Sequence, residues 1–200
     1  MKTDVYSFEK DVENIDIIAE VAEKIAAYNG LDHKQTLKLS LFCEELVEML
    51  PKLLVYGGGE FWIENNGANY EIHARVQADS MLSSLDRDEI LAVSTSGKNA
   101  AAVGIMNKIR IAAEVFLSNY ASSAGSTAVS FPDSHYTYYN MGIDPADDAL
   151  QWSLSSYKAE AKKNEEAWDE LEKSIIANMA DDVTVGIING EVEIVVKKKF

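Results

Sequence analysis

The chain has 200 residues, 47% apolar and 26% charged, so it can build a hydrophobic core and is not of the charge-rich kind that stays unfolded. Its 33 acidic and 18 basic residues give a formal net charge of -15, which opposes binding to phosphate backbones and anionic lipid. A small phosphorylated ligand in a local pocket remains compatible with that charge, whereas the single cysteine, Cys43, excludes an internal disulfide and a cysteine-rich zinc site.

No apolar leader follows the start MKTDVYSFEK, and no run approaches the roughly 18 apolar residues of a membrane helix. A cytoplasmic protein with neither nucleic-acid nor membrane partners is expected. Residues 3–8 alternate and carry β-formers, which predicts a short first strand. From Asn14 to Tyr28 the apolar positions Ile15, Ile18, Ala19, Ala22, Ile25 and Ala26 recur at helical steps, and Asn29-Gly30 supplies a stop. Asp32 is placed to cap a second helix, LDHKQTLKLSLFCEELVEML, with Pro51 marking a break or kink near its end.

After Gly57-Gly58-Gly59, the runs EFWIE and NYEIHARV flank Asn66-Gly67, a strong hairpin signal. A short helix is expected near 85–93 and a long apolar one over 101–121. STAVSF and HYTYYNMG read as strands separated by the turn Pro132-Asp133. The last part of the chain, from 146, reads as an added unit. It has a helical stretch from about Tyr157, with Trp168, Leu171, Ile175 and Met179 at steps of three and four. VTVGII, a turn at Asn189-Gly190, and EVEIVV then form a second hairpin. The closing KKKF is read as a solvated guard of a sheet edge.

Three stretches carry candidate chemistry. LFCEELVEML sets Glu44, Glu45 and Glu48 in an otherwise apolar helix. Either these carboxylates do chemistry, or they are the solvated side of a helix whose Leu41, Cys43, Leu46, Val47 and Leu50 face a sheet. Asp79 follows the first hairpin and can cap a turn. SGKN at 96–99 opens a helix, where backbone N–H groups of Gly97, Lys98 and Asn99 can meet an anion, and Gly104 allows close packing. It is not a Walker A loop, since Ala92 stands where that motif has glycine and Asn99 replaces Ser or Thr. His33, His73 and His135 show no metal-ligand spacing.

The order of elements, with LKLSLFCEELVEML and SGKNAAAVGIMNKI, resembles the GHKL ATPase family, in particular its anti-sigma-factor serine-kinase branch. The resemblance implies an α+β, two-layer sandwich with a mixed, mostly antiparallel sheet over residues 1–145, followed by a helix–hairpin extension over 146–200. It also implies ATP and Mg²⁺ as ligands. In that family a Glu acts as base four residues before a Mg²⁺-binding Asn. Glu45 matches the base, and Met49 stands where the Asn is expected. A shift by one residue pairs Glu44 with Glu48 instead and restores an oxygen ligand. By the same resemblance Asp79 would meet adenine, although no glycine follows it, and Gly97, Lys98, Asn99 and Gly104 would form the phosphate lid. The implied function is a divergent nucleotide-binding regulator of a partner protein, with hydrolysis weak or lost. The alternative is a non-catalytic binding module that keeps only the fold. Whether the chain is an enzyme, and whether it forms a homodimer, stay open at this level.

Overall fold

The computed structural model describes residues 1–8, 17–53, 57–77, 105, 108–110, 112, 113, 116, 117, 151–163, 168, 171, 175–189 and 191–200. Within them the chain is α+β, with a six-stranded sheet in the order β1-β2-β3-β6-β5-β4 and every described pairing antiparallel. The strands are β1 (Tyr6–Phe8), β2 (Gly59–Asn66), β3 (Asn69–Gln77), β4 (Gln151–Ser153), β5 (Asp182–Ile188) and β6 (Glu191–Lys199). The helices are α1 (Ile17–Tyr28), α2 (His33–Leu53), α3 (Leu154–Ala161) and α4 (Ile175–Met179).

Local chemistry sets the first two helices. After Tyr28, Leu31 N–H donates to the Ala26 carbonyl at 3.0 Å and Gly30 N–H to Ala27 at 3.2 Å. That pairing needs a left-handed residue, and Gly30 supplies it at φ 68°. Leu31 then folds against the core. Asp32 caps α2 reciprocally: its carboxylate accepts from Gln35 N–H at 2.9 Å, and Gln35 accepts from Asp32 N–H at 2.9 Å. Pro51 does not end α2, which runs on to Leu53. A proline there forfeits one hydrogen bond near the end of the helix.

Both hairpins form where Asn-Gly pairs predict them. In the first, Asn66 pairs with Asn69, and Gly67 takes the left-handed conformation at φ 60°. The second turns at Asn189, φ 53°, between Ile188 and Glu191. β6 pairs with β3 along nine residues, from Gln77–Glu191 to Asn69–Lys199. The strands from either side of residue 145 therefore share one sheet. Lys197, Lys198 and Lys199 lie on this inner strand, not at an edge, which corrects their reading as edge guards. Lys198 pairs with Asp181 at 2.7 Å, and Asp181 also accepts from Lys199 N–H at 2.6 Å. Both bonds hold the Asp181 carboxyl below the ordinary range against the opposing effect of its burial.

The two faces of the sheet differ. Phe61, Ile63, Ile72, Ala74, Val185 and Ile194 point one way and join Ile18, Ile25, Leu39, Phe42 and Leu46 of the helices in one apolar cluster. The described residues of the long apolar run are helical, and Ile105, Ile109, Ala112, Ala113, Phe116 and Leu117 among them are buried in the same cluster. The opposite face carries Glu60, Trp62 and Glu64 on β2, and Glu71, His73 and Arg75 on β3, by the strict alternation of a strand. Trp62 and Val195 are buried there but lie outside the main cluster. Among the described residues no helix is long and apolar enough to cross a membrane.

Candidate functional site

The acidic segment of α2 sits with its apolar side on the core. Phe42, Cys43, Leu46 and Leu50 are fully buried, and Leu41 and Val47 are half-buried. Glu44 and Glu48 are exposed, whereas Glu45 is half-buried at the border of the apolar stripe. At 100° per residue, Glu45 lies about 60° around the helix from Phe42 and about 60° from Glu48, and Glu44 and Glu48 share the outward side. Burial raises the Glu45 carboxyl above the ordinary glutamate range, and the charges of Glu48 and then Glu44 raise it further. Such a group binds a proton more tightly than a free glutamate, the direction that suits a base. Its ionised form costs the fold some stability, a cost that falls as pH drops through its raised value. Cys43 is closed off by burial, which pushes its thiol far up and leaves it inert as a nucleophile.

Of the other candidate residues, Asp79, Gly97, Lys98, Asn99 and Gly104 lie outside the described residues. The same holds for the helix expected near 85–93, for STAVSF and HYTYYNMG, and for His135. His33 is exposed in the first turn of α2.

A second cluster, on the outward face of the sheet, escaped sequence reasoning. His73 on β3 stacks on Trp62 of β2, with ring centroids 4.6 Å apart and planes within 8°. Lys2 and Arg75 lie 4.2 and 4.7 Å from the Trp62 ring centroid. Trp62 Nε1–H donates to Glu64 at 2.8 Å, and Lys2 reaches the same carboxylate at 3.1 Å. These contacts hold Glu64 below the ordinary glutamate range, the Trp62 bond first among them.

On its other side, His73 Nδ1 lies 2.9 Å from Glu193 of β6. That hydrogen bond, more than the charges of His73 and Arg75, lowers the Glu193 carboxyl against the effect of its own burial. An ionised carboxylate can only accept, so Nδ1 donates to Glu193. Nε2 is buried and has no hydrogen-bond partner among the described residues; Glu71 Oε2 lies 3.6 Å away. Arg75 spreads over Glu60, Glu191 and Glu193 at 3.6 to 3.7 Å. The only hint of this cluster in the letters is a histidine and an arginine at alternate positions of NYEIHARV. The partner carboxylate is 120 residues further on, and nothing local announces the β3–β6 register that joins them.

Among the described residues no three His, Cys, Asp or Glu side chains form a ready-made metal centre. Comparison with protein-family models, with curated proteins and with solved structures finds no match.

Proposed function

We propose that this chain is a divergent GHKL-type regulatory protein of the cytoplasm. In this reading it binds an adenine nucleotide with Mg²⁺ weakly, turns it over very slowly or not at all, and acts on a partner protein. The observation that carries the reading is Glu45. It sits at the edge of the core stripe of α2, with its proton affinity raised by burial and by two neighbouring carboxylates. The order β1, α1, α2, β2, β3 and the antiparallel sheet are compatible with that family's two-layer fold.

In this reading Glu45 takes the base position and Met49 replaces the usual metal ligand. A thioether is a poor partner for a hard cation, so metal-assisted turnover suffers first. In the alternative pairing Glu44 is the base and Glu48, four residues on and likewise exposed, supplies an oxygen ligand on a neighbouring face. Asp79 would contact adenine, and Gly97, Lys98, Asn99 and Gly104 would close over the phosphates. Loss of a metal ligand removes orders of magnitude of rate, at about 1.4 kcal/mol per factor of ten. A missing base contact costs only about 1–3 kcal/mol of affinity. Binding therefore outlasts catalysis.

The binding-module alternative rests on a different observation. Tyr28 and Leu37, on either side of the α1–α2 connection, are 78% and 63% exposed. Two large apolar side chains kept in water near one helix connection suit contact with another protein.

Thermal unfolding with Mg-ATP, with Mg-ADP and without nucleotide separates the two. At 100 times the dissociation constant, ligand stabilises the native state by about 2.7 kcal/mol. We expect a rise in Tm with nucleotide that Gly97→Trp abolishes and Glu45→Gln preserves. No rise at millimolar nucleotide would leave only the binding module.

A further inference from the structure

We infer that His73 is a pH-sensitive clasp on the seam between the two hairpins. With its second proton it bridges Glu193 and Glu71; without that proton the hold on Glu71 is lost. The clasp lies on the outward sheet face and does not depend on the nucleotide reading.

The seam has an approximate twofold symmetry. The sheet order β1-β2-β3-β6-β5-β4 runs through one hairpin and then through the other in reverse. Carrying Asn66 to Ile188 and Asn69 to Glu191 reproduces the register of the first hairpin in the second. Phe61–Ala74 becomes Val183–Val196, and Ile63–Ile72 becomes Val185–Ile194. The same step carries Glu71 to Glu193, Arg75 to Lys197 and His73 to Val195. Across the seam Arg75 stands opposite Glu193, Glu71 opposite Lys197, and His73 opposite Val195. His73 therefore sits on the axis, between two carboxylates at equivalent positions of the two hairpins.

Its ring meets both. Nδ1 lies 2.9 Å from Glu193, and Nε2 lies 3.6 Å from Oε2 of Glu71, buried and with no hydrogen-bond partner among the described residues. In a ring with hydrogen on Nδ1 alone, Nε2 turns a lone pair toward that carboxylate, and the two repel. A second proton makes the same contact an N–H facing a negative oxygen, which attracts. Stacking on Trp62, with planes within 8°, and the bond to Glu193 hold the ring in place. The proton count, not the ring's orientation, then sets the sign of the Glu71 contact.

Other charges face this ring. Burial opposes the imidazolium, as do Lys2, Arg75 on β3, and Lys197 and Lys199 on β6. Favouring it are Glu60 and Glu64 on β2, Glu71 on β3, Glu191 and Glu193 on β6, and Asp182 on β5. Distance decides between them. Two carboxylates meet the ring nitrogens themselves, whereas Lys2 and Arg75 lie over the neighbouring indole and pair with Glu60, Glu64, Glu191 and Glu193. The clasp contributes while His73 holds its second proton, and its contribution is lost as rising pH removes it.

The test is urea unfolding of the full chain, wild type and Glu71→Gln, at about pH 5.5 and about pH 9. These values lie either side of the usual histidine range and above that of carboxylates. At the lower pH Glu71→Gln should raise the unfolding constant about two- to fivefold, the size of a partly exposed ion pair. At the higher pH the difference should vanish or reverse. Glu71 is 46% exposed, so Glu71→Gln leaves the core intact. In a His73→Gln background the same substitution should show no such pH dependence. The ring ¹⁵N shifts of wild type should report hydrogen on both nitrogens at the lower pH and on Nδ1 alone at the higher. An equal effect of Glu71→Gln at both pH values would overturn the clasp. So would a pH dependence that survives His73→Gln, or a ring with no hydrogen on Nε2 at the lower pH.

Discussion

Replacing Trp152 by alanine lowers the unfolding free energy by about 3–5 kcal/mol, the usual cost of emptying a large aromatic site in a core. Among the described residues Trp152 is the largest of the fully buried side chains, and it belongs to a strand of only three residues. Its backbone pairs with Val185 of β5, and its ring lies 6.1 Å from that of Tyr157 on α3. One side chain thus ties the β4–α3 junction to the sheet, with Ser153 capping α3 by accepting from Ser156 N–H at 3.1 Å. Since domains of this size hold about 5–15 kcal/mol in total, Trp152→Ala should remove a large share of the stability. Trp152→Phe should cost far less, about 1 kcal/mol, for two opposing reasons. It removes some volume, but it also removes an indole N–H that is buried with no hydrogen-bond partner among the described residues. Urea unfolding of both variants measures the difference; equal losses would show that packing is not what Trp152 contributes.

The second large effect is expected at Glu193. Glu193→Ala should cost about 1.5–3 kcal/mol at neutral pH, the range for a hydrogen bond to a charged group. Both members of the Glu193–His73 pair are nearly sequestered, with side chains 6% and 11% exposed, so solvent screens the contact little. The loss also depends on pH. Because the Glu193 carboxyl is lowered in the folded state, its contribution is fully present above the ordinary glutamate range. It disappears as acid protonates Glu193 in the native protein, below that range. Unfolding curves of wild type and Glu193→Ala should therefore converge as pH falls below about 4. A gap that stays constant into strong acid would mean that the carboxylate's charge plays no part.

Local signals in the sequence were enough for the elements near the N-terminus. Asn29-Gly30 and Asp32 stop one helix and start the next because each is satisfied by backbone or side-chain partners within five residues. The two Asn-Gly turns likewise set their own hairpins. What the letters could not supply was long-range pairing. KKKF looks like an edge by composition, and only the β3–β6 register makes β6 an inner strand. β4 escaped notice because three residues leading directly into a helix show no alternation to read. The helical stretch from Tyr157 also contains a turn at Lys162-Lys163, where Lys163 N–H bonds back to the Glu160 carbonyl at 3.0 Å.

The candidate chemistry divides the same way. That Glu44, Glu45 and Glu48 share a helix follows from spacing alone. That Glu45 is the half-buried one follows from where Phe42 and Leu46 meet the sheet. His73 gave no motif, because its partners come from Glu71 on its own strand and from Glu193 far along the chain.

Amide chemical-shift mapping of the full chain titrated with Mg-ATP tests the functional reading most directly. Nucleotide bound against the carboxylate helix should perturb the amides of α2 around Glu45 and leave those of Glu71, His73 and Glu193 unmoved. Perturbations centred on the outward sheet face, or none anywhere at millimolar nucleotide, would contradict it.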